Sequence, residues 1–175
     1  DCDPCVDTIP GGCTPSLGGE HEDMLVGLGC RGELAIGDGL SYEVSYKFGD
    51  NQVDFFMSNT VNGSRGPNTP RDFRPGGYGQ TENLFNLDFG YALPLDGMAS
   101  DLNIAFGYEY REEEFEVRAG DAASFEIGPL ATPGGAYPLG QGFSSSSNGF
   151  GGFTDASAGK NSQSNNSVYL DLEGD

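Results

Sequence analysis

The sequence contains no tryptophan, one histidine, and eight basic residues against 27 acidic ones. A single histidine gives a Ser–His–Asp arrangement no support and leaves few ligands for zinc. The net charge of −19 argues against a nucleic-acid partner, because phosphate binding needs clustered Lys and Arg. No run of about 18 apolar residues occurs, so the sequence encodes no transmembrane helix. A β-strand is untouched by that exclusion, since it crosses a bilayer with a far weaker, alternating pattern. No amphipathic helical stretch rivals the alternation described below. The glycine turns "GDGL" and "RPGGYG" lead into no helix, so neither is a phosphate loop. The reading is therefore of a non-enzyme without a cofactor.

What the chain does contain is glycine, 29 residues, with 12 Phe and 8 Tyr. That mixture suits short turns and strands better than helices. Apolar residues alternate with small or polar ones in five places. They are Val26, Leu28, Cys30 and Leu34; Leu40, Tyr42, Val44, Tyr46 and Phe48; Phe85, Leu87, Phe89, Tyr91 and Leu93; Leu102, Ile104, Phe106, Tyr108 and Tyr110; and Val168, Leu170 and Leu172. Such repeated period-2 patterning predicts antiparallel strands. The phase is lost at "GDNQ" and resumes in "VDFFMSNTV". Residues 1–20, 62–79 and 118–163 are rich in Gly, Pro, Ser or Cys and read as loops. The spacers "IGDGL" and "PLDGMAS" are short. The chain starts without Met and stops in mid-pattern at "SVYLDLEGD", which reads as a fragment of a longer protein.

The stretch "NIAFGYEYREEEFEV" bears on the choice between a soluble sheet and a membrane sheet. Nine residues of strand run about 30 Å, or roughly 23 Å of height at a tilt of about 40°. An outer-membrane barrel has an apolar band about 25 Å tall. Along this strand aliphatics give way to Phe, then Tyr, then Arg111-Glu112-Glu113-Glu114. Tyr suits a lipid–water boundary, where its ring is dry and its hydroxyl wet. A soluble β-sandwich also has alternating strands. The alternation of short and long connections favours a barrel with tight turns on one side and long loops on the other.

Residues 21–95, from "HEDMLVGLGCRGEL" to "NLDFGYALPL", resemble the barrel region of TonB-dependent outer-membrane receptors. So do "LNIAFGYEYREEEFEVRAGDAASFEIGPLATPGG", "GFGGF" and "SVYLDLEGD". The resemblance implies an all-β fold, an antiparallel meander of about five long strands. It would be an open segment of a 22-stranded transmembrane β-barrel, located in the outer membrane. Residues 1–20 would be an extracellular loop, 21–117 four strands, 118–163 a long extracellular loop and 164–175 a fifth strand. The turns at 36–39 and 94–100 would be periplasmic. The plug domain and TonB box are absent from this stretch. Its parent would import a scarce nutrient, such as siderophore-iron, cobalamin or an oligosaccharide, with energy passed on by TonB. Its partners would be outer-membrane lipid and lipopolysaccharide, the plug domain, TonB and the small nutrient ligand. The alternative is a secreted β-rich surface adhesin or filament subunit.

Candidate residues follow from the same reading. By parity, Glu109 and Arg111 face away from the apolar side, with Glu43 and Lys47 on a neighbouring strand. They would line the lumen, where mutual pairing or pairing with the plug is the plainer role. Tyr137 and Phe143, in the long loop, are candidates for ligand capture. Cys2, Cys5 and Cys13 lie within twelve residues and suit a disulfide in an oxidising compartment, with the pairing left open. A zinc site through "CDPC" would have only His21 to draw on. Cys30 reads as a small lipid-facing hydrophobe. The acidic run 112–114 reads as a solvated strand end, and the "NGS" at Asn62 as a chance sequon.

Overall fold

A computed structural model describes residues 11–131 and 145–175. These residues form a five-stranded antiparallel meander, β1-β2-β3-β4-β5, with sequential strands hydrogen-bonded as neighbours. The strands are β1 (Ser16–Leu34), β2 (Leu40–Ser58), β3 (Phe73–Leu93), β4 (Leu102–Ala119) and β5 (Gly159–Glu173). Among the described residues, helical structure is limited to a 3-10 stretch over Gly63–Asn68 and a single α-turn, α1 (Ala122–Phe125).

The strands are 15 to 21 residues long, well beyond the nine or so that alternation marks. Three loop boundaries shift accordingly. β1 begins inside 1–20, β3 begins at Phe73 inside 62–79, and β5 begins at Gly159 inside 118–163. The physical reason is the same in each case: these strand ends have no oily side to alternate. "NSQSNNS" in β5 is polar on both faces. At the start of β3 a proline and glycines hide the pattern. Gly76 sits at φ +97°, and a Cβ there would run into the backbone of Arg118 and Ala119 on β4. Only glycine allows that approach in that conformation.

The "GDNQ" break is not a turn. β2 continues through it, and the phase of its alternation reverses. Apolar residues occupy even positions up to Phe48; afterwards Val53, Phe55 and Met57 take odd positions, with Phe56 between them.

The chain divides into two compact units. The first comprises Asp1–Glu22, Gln52–Gly79 and Glu116–Lys160. It holds the buried apolar residues Met57, Val61, Phe73 and Ala131. A cluster of Phe55, Tyr78, Phe150 and Phe153 packs beside them, with ring centroids 5.2 to 6.4 Å apart. Thus "GFGGF" anchors its loop to the strands through two phenyl rings.

The second unit comprises Asp23–Asn51, Gln80–Phe115 and Asn161–Asp175. None of its described residues is buried. It is a single layer of sheet with one apolar side and one polar side, and nothing in the described chain covers either.

Candidate functional site

Contacts within the second unit fix which residues share a side. On the apolar side Phe89 of β3 stacks on Phe106 of β4, centroids 5.1 Å apart at 22°. Two tyrosines on this side bond to asparagines across the strands. Tyr46 Oη donates to Asn83 Oδ1, and Tyr108 Oη to Asn166 Oδ1, both at 2.6 Å. Each amide that interrupts the oily side is thus capped by a neighbouring phenol. Charge is absent from the alternating positions of this side between Met24 and Leu34, Leu40 and Phe48, Phe85 and Leu93, and Leu102 and Tyr110. Leu28 is 72% exposed and Val168 81%.

The opposite side carries the polar chemistry. Tyr169 Oη donates to Asp88 Oδ1 at 2.8 Å, its ring lying over Gly107 of the strand between. Gln163 Nε2 donates to Glu113 Oε2 at 2.7 Å. Arg111 Nη2 lies 3.5 Å from Glu109 Oε1. Ser41 Oγ donates to the Gly90 carbonyl at 2.9 Å. All three basic residues of the second unit, Arg31, Lys47 and Arg111, take odd positions on this side.

Of the residues singled out from sequence, Glu109 and Arg111 come together as an ion pair, with side chains 36% and 41% exposed. Glu43 and Lys47 are exposed on β2. They are not on a strand next to β4, because β3 lies between; parity gives a side of the sheet but not the order of strands. Cys30 is an exposed free thiol, and Cys13 is half-buried just before β1. Cys2, Cys5, Tyr137 and Phe143 lie outside the described residues. Among the described residues no group of three or more His, Cys, Asp or Glu is placed to hold a metal.

Sequence reasoning missed Gln163 and Asn165, because a strand without alternation gives no signal. It also missed the polar centre of the first unit, where two connections interlock. Asn62 is fully buried. Its Nδ2 donates to the carbonyls of Ala123 at 2.9 Å and Glu126 at 3.0 Å. Its Oδ1 accepts from Ser64 N at 3.2 Å and Ser64 Oγ at 2.6 Å. All four bonding positions of the amide are filled. Ser64 in turn accepts from Gly128 N through Oγ at 2.7 Å and from Leu130 N through its carbonyl at 2.9 Å. Thr60 Oγ1 donates to the Asn148 carbonyl at 2.6 Å. With its amide nitrogen enclosed, the sequon at Asn62 has no room for a glycan.

No family model, curated protein or solved structure matches the chain.

Proposed function

We propose that the chain is a segment of the wall of a TonB-dependent outer-membrane receptor, contributing five strands to a 22-stranded barrel. The parent barrel, with a plug domain and TonB, imports a scarce nutrient. The observation that carries the reading is the second unit's uncovered oily side. Leu, Val, Ile and Phe line it without charge, and no second layer in the described chain packs on it. In water a bare apolar sheet of this kind is an aggregation hazard, whereas hydrocarbon satisfies it. The Tyr–Asn caps fit a boundary where a polar group on the oily side needs a partner. The reversal of phase in β2 fits a strand that leaves the lipid, after which oily residues serve loop packing instead. Among the described residues β1 and β5 have one neighbour each, as interior strands of a larger barrel would if excised.

Cys30 is a ready reporter. With Cys2, Cys5 and Cys13 changed to serine, a polarity-sensitive dye on Cys30 is expected to shift to the blue in phospholipid vesicles and to be quenched by spin-labelled lipid. The same dye at Arg31→Cys, in a Cys30→Ser background, is expected to be quenched by aqueous iodide instead. Equal access of iodide to both positions would overturn the membrane reading and favour the secreted adhesin or filament subunit.

A further inference from the structure

We infer that Asn148–Gly149 is a self-modification site, where the asparagine loses its amide and the main chain becomes an isoaspartyl linkage that loosens its own turn. The inference is independent of what covers the oily side of the sheet. The sequence holds two Asn–Gly pairs, Asn62–Gly63 and Asn148–Gly149. In such a pair the main-chain nitrogen of glycine attacks the asparagine Cγ, and glycine has no Cβ to obstruct the approach. The N–Cγ bond forms, the bond from Cγ to the amide nitrogen breaks, and ammonia leaves with the proton of the attacking nitrogen. Water then opens the cyclic imide at either carbonyl, giving aspartate or isoaspartate.

The fold decides which pair reacts. Asn62 is fully buried, caps the 3-10 stretch, and has both its amide nitrogen and its amide oxygen bonded. Bringing its Cγ onto the Gly63 nitrogen requires breaking those bonds at a site closed to water. Asn148 and Gly149 are both exposed. Among the described residues, neither the Asn148 side-chain amide nor the Gly149 nitrogen has a hydrogen-bond partner. Electrophile and nucleophile are therefore both free, and water for the second step is at hand.

The surrounding bonds give the reaction a consequence. The Ser124 carbonyl accepts from both Ser147 N and Gly152 N, each at 3.0 Å. Inside that closure Ser147 Oγ donates to the Phe150 carbonyl. The turn is thus pinned on both sides of the Asn148–Gly149 bond. Isoaspartate routes the main chain through Cβ and Cγ, which adds one atom inside the closure. It also converts the carbonyl that Thr60 Oγ1 holds into a carboxylate, beside a threonine with no exposure to water. Phe150 and Phe153, which tie this loop to Phe55, leave from the lengthened side.

The test ages the full chain in detergent micelles at mildly alkaline pH, with a parallel sample unfolded in urea. Peptide mass spectrometry with electron-transfer fragmentation locates each lost amide and separates isoaspartate from aspartate. In urea the two pairs are expected to convert at similar rates. In micelles Asn148 is expected to keep close to its urea rate, while Asn62 converts at least about 100-fold more slowly. Conversion at Asn148 is expected to speed up as pH rises, because the attacking nitrogen must lose its proton. Hydrogen exchange at the Ser147 and Gly152 amides is expected to be about tenfold faster in the aged chain, with the amides of Phe89 and Phe106 unchanged. Asn148→Gln forms its larger imide slowly and is expected to abolish both changes; Asn148→Ala replaces it if circular dichroism shows a disturbed sheet. Equal conversion of the two pairs in micelles, or shielding of Asn148 relative to urea, overturns the inference. So does isoaspartate at 148 with unaltered exchange at Ser147 and Gly152.

Discussion

Replacing Asn62 with leucine is expected to release both connections of the first unit at once. Leucine keeps the branched outline of the side chain but replaces the amide N and O by larger methyl groups, so some overpacking adds to the loss of hydrogen bonds. It strands the carbonyls of Ala123 and Glu126 and the Ser64 amide and hydroxyl, at a site with no exposure to water. Each buried polar group left unpaired costs about 1–3 kcal/mol. Because local opening rehydrates some of them, the expected loss is about 3–4 kcal/mol of loop stability. That corresponds to roughly 100- to 1,000-fold faster hydrogen exchange. The amides that report it are Gly128 and Leu130, held by Ser64, and Asn148, held by the Val61 carbonyl. Amides of the second unit, such as those around Phe89 and Phe106, are expected to keep their rates. Asn148→Ala is the control. Asn148 is exposed and bonds to the neighbouring connection through its backbone. Exchange at Gly128 and Leu130 that is unchanged in Asn62→Leu would show that the two connections hold together without it.

The same residue shows where sequence reading stops. "NGS" gives no sign that its asparagine has every bonding position of its amide filled, because two of its partners come from residues 61 and 64 positions away. Loops rich in Gly, Ser and Pro look structureless when their order lies in long-range hydrogen bonds rather than in periodic oily residues. The strands were legible wherever one side is apolar: Leu40 to Phe48, Phe85 to Leu93 and Leu102 to Tyr110 each fall inside an observed strand. The polar continuations, Gly159 to Gln163 and Phe73 to Gly79, were not, since alternation needs two kinds of side chain to be visible. Parity placed Glu109 and Arg111 on one side correctly but could not say that β3 separates them from Lys47. Side follows from local geometry, while strand order is a tertiary fact.

Leu87 and Asn86 offer the sharpest contrast in the second unit. They are consecutive in β3, so their side chains leave opposite faces of the sheet. Leu87 shares the apolar side with Phe85 and Phe89; Asn86 shares the polar side with Asp88. If hydrocarbon covers the apolar side, arginine at 87 must carry its charge into the bilayer near mid-depth, at a cost of about 2–4 kcal/mol. Leu87→Arg is then expected to reduce vesicle-inserted chain by roughly 30- to 1,000-fold relative to the unaltered protein, measured by flotation against urea. Asn86→Arg adds the same bulk and charge one residue away and is expected to change insertion by less than about threefold. A soluble β-module gives the opposite ordering. There Leu87 sits half-exposed on an open face, and an arginine breaks up an oily patch that invites association. Its chain would become more soluble and no less stable. The two readings thus differ in the sign of a single substitution, because lipid and water treat the same guanidinium oppositely.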